Sequence, residues 1–420
     1  MRISSSTVAL IAVVQIAIGA FAHAGESDLL RAAEDLDVKA LTFLMATAKD
    51  PNERHFAKGV IAATMNDDVG AEINLEATAI AASLPQPIRC KALGLLAGVF
   101  LRQTRFADAA KRWDAAQNLG SCGAPGPEEV RSRAVALTLQ GEPVMSATVP
   151  ETGETPLRID WARLMRANVL LNGSESEAVL DTGASYSTIS VGKAKDLGVR
   201  LIPGVIAIGT ATGNAQARLG IADQLDVAGA RFNNVTFIVL DDDALSFAWG
   251  FYRIPMIVGL PVLRKLGRLE VRLEDDSVGL RYDRLPGGKA IDANLALDGL
   301  QLLATVKLNE YQARLLFDTG ARSTLLNRGV AAKFPDLMSD ADRTSVLTVG
   351  AGGTKRDQSA LNLDAVNLDV AGRSIKLANV KVTGDAHRRR DGILGQDVLT
   401  SGRGYVLDFG NMRLELLEKQ

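Results

Sequence analysis

Three kinds of hydrophobic pattern follow one another along the chain. From Val8 to Phe21 the residues are mostly apolar. From about residue 27 to 141, apolar and small residues recur at helical spacing. Beyond residue 160 the period shortens towards two. Runs such as Arg166–Leu171, Glu177–Leu180, Val205–Ile208, Val235–Leu240 and Met256–Val258 predict short strands. Pro143, Pro150 and Pro156, with Gly141 and Gly153, mark a linker between the helical and β patterns. Leu285-Pro286-Gly287-Gly288-Lys289 is a second linker, after which a similar β pattern resumes. The pattern predicts a multi-domain protein, α plus all-β: a helical domain over 25–150, one β half over 160–284 and another over 295–420.

The first apolar run has its own logic. Arg2 precedes it, and Ala22-His23-Ala24 fits a small-x-small cleavage site, so residues 1–24 read as a secretory signal peptide. The alternative is an uncleaved anchor; against it, the run is short for a span and Gln15 interrupts it. No later segment reaches the roughly 18 unbroken apolar residues of a membrane helix. The mature chain is expected to be exported with no membrane span. The simple signal and Ala-rich composition point to a bacterial periplasm.

In the helical region, Leu93, Leu96, Ala97, Phe100, Phe106, Ala109, Trp113 and Ala116 alternate large and small residues as two closely packed antiparallel helices require. The stretch from Cys90 to Cys122 resembles one tetratricopeptide unit, and residues 56–89 match more weakly; a generic helical bundle is the alternative. Either suggests a surface for docking a protein partner. Cys90 and Cys122 fall at adjoining ends of this hairpin, and in an exported chain they are candidates for a disulfide, the alternative being two buried thiols.

The two β halves repeat each other. Val179-Leu180-Asp181-Thr182-Gly183-Ala184 answers Leu316-Phe317-Asp318-Thr319-Gly320-Ala321, and Leu225-Asp226-Val227-Ala228-Gly229 recurs as Leu368-Asp369-Val370-Ala371-Gly372. Asn172 and Asn309 each lie nine residues before the Asp, where the pattern predicts a hairpin turn. Gly259 follows Asp181 by 78 residues and Gly395 follows Asp318 by 77. A duplicated all-β unit accounts for all of these.

A strand that ends in Asp-Thr-Gly places a carboxylate at its tip. Gly allows a sharp turn against a partner without a Cβ clash, and the Thr hydroxyl can bond across to that partner's backbone. Two such loops face to face bring two carboxylates together. Like charges that close share one proton, so one Asp acts as base towards a water while the other polarises a carbonyl. Asp181 and Asp318 are the candidate catalytic pair, with Thr182, Gly183, Thr319 and Gly320 supporting the loops.

On these motifs the region from about Leu164 to Leu417 resembles two tandem retropepsin-like aspartic protease units. The resemblance implies a β-barrel-like fold in each half, a bilobal pseudo-dimer, and flaps closing over an extended polypeptide. It places flap segments at Thr210-Ala211-Thr212-Gly213-Asn214 and Gly350-Ala351-Gly352-Gly353-Thr354, making Thr210, Gly213, Gly352 and Gly353 candidate substrate contacts. Ser185 follows the first Asp-Thr-Gly-Ala as is usual in the family; Arg322 follows the second, which is not. Three readings of Arg322 stay open: a salt bridge to Asp397, a contact to an acidic or carboxyl-terminal substrate group, or a disturbance of the dyad. His387-Arg388-Arg389-Arg390 and Asp241-Asp242-Asp243 either steer a charged substrate or are solvated loops. Trp249, Phe251 and Tyr252 either line an apolar subsite or anchor their loop.

The inventory narrows the remaining chemistry. Lys plus Arg number 47 and Asp plus Glu 49, so charge gives no hint of nucleic acid. Past residue 24 only His55 and His387 remain, which leaves little for a Ser-His-Asp triad or a zinc site. No phosphate loop or dinucleotide fingerprint is present. The sequence predicts an exported aspartic endopeptidase that needs no metal or organic cofactor. The alternative is a weak or inactive peptide-binding module on the same fold.

Overall fold

The computed structural model describes residues 28–120, 122–210, 212–247, 252–274, 277–283, 293–339 and 341–418. The signal segment 1–24, Ala211, Trp249, Phe251 and the linker at 285–289 lie outside the described residues. Among the described residues no helix is long and apolar enough to cross a membrane.

The chain divides into two compact units. One takes residues up to 96 together with 112–123; the other takes 97–111 and everything from 124 onward. The first unit is helical. Helices Val38–Thr47, Pro51–Thr64 and Asp68–Ile80 start at Asp37, Asp50 and Asp67, whose carboxylates accept backbone N–H groups of the first turn. Gly59 allows the second and third of these to approach closely, since a Cβ there would lie 2.6 Å from Leu75. Cys90 and Cys122 are joined by a disulfide with Cα atoms 5.4 Å apart.

The second unit is mostly β. The boundary at residue 150 read from composition is not where the chain divides. Met145 donates its N–H to Thr104 Oγ1 at 2.7 Å, and Arg264 donates to the Arg102 carbonyl at 2.8 Å, tying residues 97–111 to the β region. Helix Pro127–Leu139 also belongs here and lies along strand Arg200–Thr210. The expected linker is itself partly strand: Thr152–Ile159 pairs on one edge with Val278–Asp283 and on the other with Met165–Leu171. Pro156 sits within it opposite Gly279.

Each half is built on the same plan. In the first, antiparallel strands Met165–Leu171 and Ser174–Leu180 form a hairpin turned by Asn172 and Gly173, both at positive φ. Met256–Val258 runs parallel beside the second of these, Ile257 opposite Val179. In the second half, Gln301–Leu308, Tyr311–Phe317 and Gly392–Leu394 repeat the arrangement, Ile393 opposite Leu316. The repeated pentapeptides occupy matching turns, with Ala228 and Ala371 at φ 51° and 56°. Long hairpins Arg200–Thr210/Gly213–Val227 and Asp342–Gly350/Gly353–Val370 project from each half, and each carries a register irregularity on its first strand.

The second half lends two strands to the sheet of the first. Gly404–Asp408, followed by Arg413–Leu416, leaves the second half and pairs with Arg268–Leu273 of the first, making a 13-stranded sheet; an 8-stranded sheet remains in the second half. The 295–420 boundary therefore describes the repeat in sequence but not its sheets.

Candidate active site

The chain entering each Asp-Thr-Gly loop is fixed before the loop begins. Asp181 donates its N–H to the Val258 carbonyl at 3.0 Å, and Asp318 donates to Leu394 at 3.1 Å. Buried apolar strands thus hold both Asp residues at their tips.

The two loops then lock to one another. Thr182 N–H donates to Thr319 Oγ1 at 3.0 Å and Thr319 N–H to Thr182 Oγ1 at 3.1 Å. Each hydroxyl in turn donates across the junction at 2.8 Å, Thr182 to the Phe317 carbonyl and Thr319 to Leu180. Both threonines are 3% exposed, so this network forms without competing water. The glycines permit the contact: a Cβ on Gly183 would lie 2.4 Å from the Asp318 carboxyl, and one on Gly320 2.5 Å from that of Asp181.

The carboxyls are consequently brought together and hydrogen-bond to one another. Gly183 N–H donates to Asp181 Oδ1 and Gly320 N–H to Asp318 Oδ1, both at 2.8 Å. Burial raises both carboxyls above their ordinary value. The charge of Asp181 lifts Asp318 well above it, while the N–H of Gly183 and the hydrogen bond from Asp318 favour the anion at Asp181. The pair titrates as a unit that retains one proton where isolated carboxyls have lost theirs.

Each loop is also anchored from behind. Gln396 N–H donates to Ala321 O and Leu260 N–H to Ala184 O, both at 2.9 Å. Thr324, six residues after Asp318, receives Gly395 N–H on its hydroxyl at 3.1 Å; Ser187, six after Asp181, receives Gly259 N–H at 3.2 Å. These supports escape a motif reading, although the shared hydroxyl at the same offset in both repeats is a readable signal. Gln396 adds a further bond that has no counterpart in the first half, its Nε2 donating to the Thr319 carbonyl at 2.8 Å.

Asp397 does not pair with Arg322. Its carboxylate takes the N–H of Thr324 at 2.9 Å and the Thr324 hydroxyl at 2.7 Å. The Arg322 side chain lies exposed, with no ion-pair partner among the described residues. Ser185, at the matching place, is half-buried.

The hairpin tips meet. Thr210 Oγ1 donates to the Gly213 carbonyl at 3.0 Å, and Thr212 Oγ1 donates to the Ala351 carbonyl of the other tip at 3.2 Å. Gly352 donates its N–H to Ala244 O of the first half at 3.0 Å. It stands at φ 92°, where a Cβ would lie 2.7 Å from Thr210 Oγ1. Gly353 faces open space. Outside the tips, Arg200 and Glu142 pair at 2.5 Å, and the Arg131 guanidinium of helix Pro127–Leu139 lies against Gly209. Tyr252 anchors its loop through a 2.6 Å bond to Asp160, and burial with that bond pushes its phenol up to about 12.

Comparison with known proteins matches both halves separately. Residues 167–262 match a family described as aspartyl protease, and residues 304–401 one described as gag-polyprotein putative aspartyl protease. Among solved structures, a retropepsin-like aspartic protease from Rickettsia conorii is similar at 17% identity over 33% of this chain and 94% of that one, with a TM-score of 0.22. Basic 7S globulin from soybean is similar at 11% identity over 63% of this chain and 93% of that one, with a TM-score of 0.35. No curated protein matches the sequence. Two matched family segments, one dyad loop in each, identify the β region of this chain as a tandem pair of retropepsin-like aspartic protease units.

Proposed function

We propose that the chain is an exported aspartic endopeptidase in which Asp181 and Asp318 jointly activate a water. The observation that carries this reading is the hydrogen-bonded carboxyl pair on two interlocked Thr-Gly turns. Asp181, the anion, takes a proton from water as its oxygen attacks the peptide carbonyl carbon. Asp318 gives its proton to the carbonyl oxygen, forming a gem-diol. In collapse, the C–N bond breaks, Asp181 returns its proton to the leaving nitrogen, and Asp318 recovers one from a diol hydroxyl. No metal or organic cofactor enters this sequence of steps.

The substrate is an extended polypeptide lying under the two hairpins, with Thr210, Gly213, Gly352 and Gly353 at its edge. Export to a bacterial periplasm rests on the pattern of residues 1–24. The helical unit, with its tetratricopeptide-like hairpin, serves to dock a protein partner.

The test is incubation of the purified chain with unfolded casein at mildly acid pH, beside Asp181→Asn and Asp318→Asn. The wild type should cut, and neither variant should, while circular dichroism shows all three folded. Substantial cleavage by either variant rules out the two-carboxylate mechanism. A wild type that binds casein without cutting it points to the binding-module alternative.

A further inference from the structure

The near-symmetry of the halves allows the ground beside each Asp to be compared residue by residue. Arg166 pairs with Val179 where Leu303 pairs with Leu316. Leu164 and Ser185 therefore correspond to Gln301 and Arg322; Ile159 opposite Met165 matches Leu297 opposite Leu302, so Asp160 corresponds to Asp298, and Trp161 stands in a turn one residue longer than that of the second half. Ile257 and Ile393 occupy matching places, so Tyr252, Arg253 and Ile254 correspond to Arg388, Arg389 and Arg390.

Beside Asp181 the surface is apolar and aromatic. Leu164, Val179 and Ile257 form a small buried cluster, with Ala162, Ala184, Tyr252 and Ile254 packed against it. Val179 lies two residues before Asp181 and Ala184 three after it, which puts this cluster directly beside the dyad. Trp161 stands on its rim, 70% exposed, with its ring edge-on to Tyr252 at 4.7 Å. It is held there firmly. Asp160 accepts the N–H groups of Ala162 and Leu164 at 2.9 and 3.0 Å, and binds Arg166 at 2.7 Å. An aromatic of that size left in water on a rigid turn is a surface for contact. The exposed cations of this side are Arg163 and Arg253, and the charge of Arg253 acts on Asp242.

Beside Asp318 the same places are cationic. Arg390 donates to Gln301 Oε1 at 3.2 Å where the first half has Ile254 and Leu164. Arg389 pairs with Asp298 where the first half has Arg253 and Asp160, the latter taken up by Arg166 and Tyr252. Arg388 and Arg322 are exposed. Asp298 is already paired, and Glu128 approaches His387 at 4.0 Å. Burial and the charge of Arg390 hold His387 below its ordinary value, consistent with a cationic neighbourhood. Ala321 N–H donates to the Asp318 backbone carbonyl at 3.2 Å, and Arg322 follows it directly.

We propose that the site reads its substrate with a fixed polarity: an aromatic or bulky aliphatic side chain on the Asp181 side of the cut bond, and a carboxylate side chain on the Asp318 side. The substrates are then polypeptides in which such residues flank the scissile bond from opposite sides. This rests on the aspartic-protease reading and adds direction to it.

Two peptide series test it, one exchanging Gln for Glu and the other Ala for Phe at each position around a cut bond. Glu should raise kcat/KM about fivefold or more on one side of that bond, and Phe should do so on the other. Arg322→Glu should reverse the first preference and keep the second; Trp161→Ala should weaken the second and keep the first. Binding of the same peptides to Asp318→Asn reads both preferences without chemistry. Preferences in binding with no turnover by the wild type would remove the protease reading and leave this one standing. Cleavage or binding without charge preference, or with both preferences on one side, overturns the proposal.

Discussion

In the second half, Gln396 donates to the Thr319 carbonyl and Asp397 takes both the N–H and the hydroxyl of Thr324. In the first half, Leu260 and Pro261 stand in the same places, fully buried, and Ser187 alone supplies a polar side chain to the turn. Yet the backbone bonds that hold the two loops agree within about 0.1 Å. The comparison teaches that the backbone geometry of the dyad is set by strands, glycines and the threonine lock. The residues behind the turn are free to trade hydrogen bonds for apolar packing.

The largest effect should come from attacking what the halves share. Gly183→Ala or Gly320→Ala drives a Cβ into the opposing carboxyl. Each carboxyl is short and buried in the junction, so either it leaves its place in the dyad or the loops part. We expect casein cleavage to vanish in both variants, and a first half more tolerant than the second would show that the loops are less equivalent than their geometry.

Next in size is the threonine lock. Thr182→Val leaves the buried N–H of Thr319 without its acceptor, and Thr319→Val does the same to Thr182. Each should cost about 1–3 kcal/mol in denaturant unfolding. The double variant should cost less than the sum, because the two changes remove one network.

The dyad's own titration gives a third. Between the ordinary Asp value and the raised folded-state value, the folded protein keeps a proton that the unfolded chain has lost. Wild-type stability should therefore fall as pH rises through that window. Asp318→Asn should flatten the fall. Activity should rise with pH as Asp181 ionises and decline as Asp318 loses its proton, a bell read from kcat/KM.

The smallest effect should come from the residue that differs. Gln396→Leu copies the first half into the second, in a place that buries Leu260 in the other. It removes one neutral hydrogen bond from a side chain whose Oε1 has no partner. A loss of about 1 kcal/mol or less in thermal unfolding is expected.

Much of this was legible in the sequence, for local reasons. Period-two apolar runs located Met165–Leu171, Ser174–Leu180 and Met256–Val258 within a few residues. The repeated Asp-Thr-Gly-Ala and Asn turns disclosed the duplication, because each turn needs a residue type that few others replace. What escaped depends on distance in sequence. Nothing local in Gly404–Asp408 says that it pairs with Arg268–Leu273. Pro156 punctuates a sequence as a linker does, but its missing N–H is tolerated inside a strand when it faces no acceptor. Helix Pro127–Leu139 has the composition of the helices before it and packs on the β unit instead. The family's ion pair at this place suggested Arg322 for Asp397, whereas Thr324 offers both an N–H and a hydroxyl.

The central claim is that one chain supplies both carboxylates of one site. Mixing purified Asp181→Asn with Asp318→Asn tests it most directly. If the halves pair within a chain, every site in the mixture lacks one carboxylate, and casein cleavage stays at the level of each variant alone. If the halves pair between chains, some assemblies regain an intact pair. Activity that appears on mixing and grows with protein concentration would contradict the account.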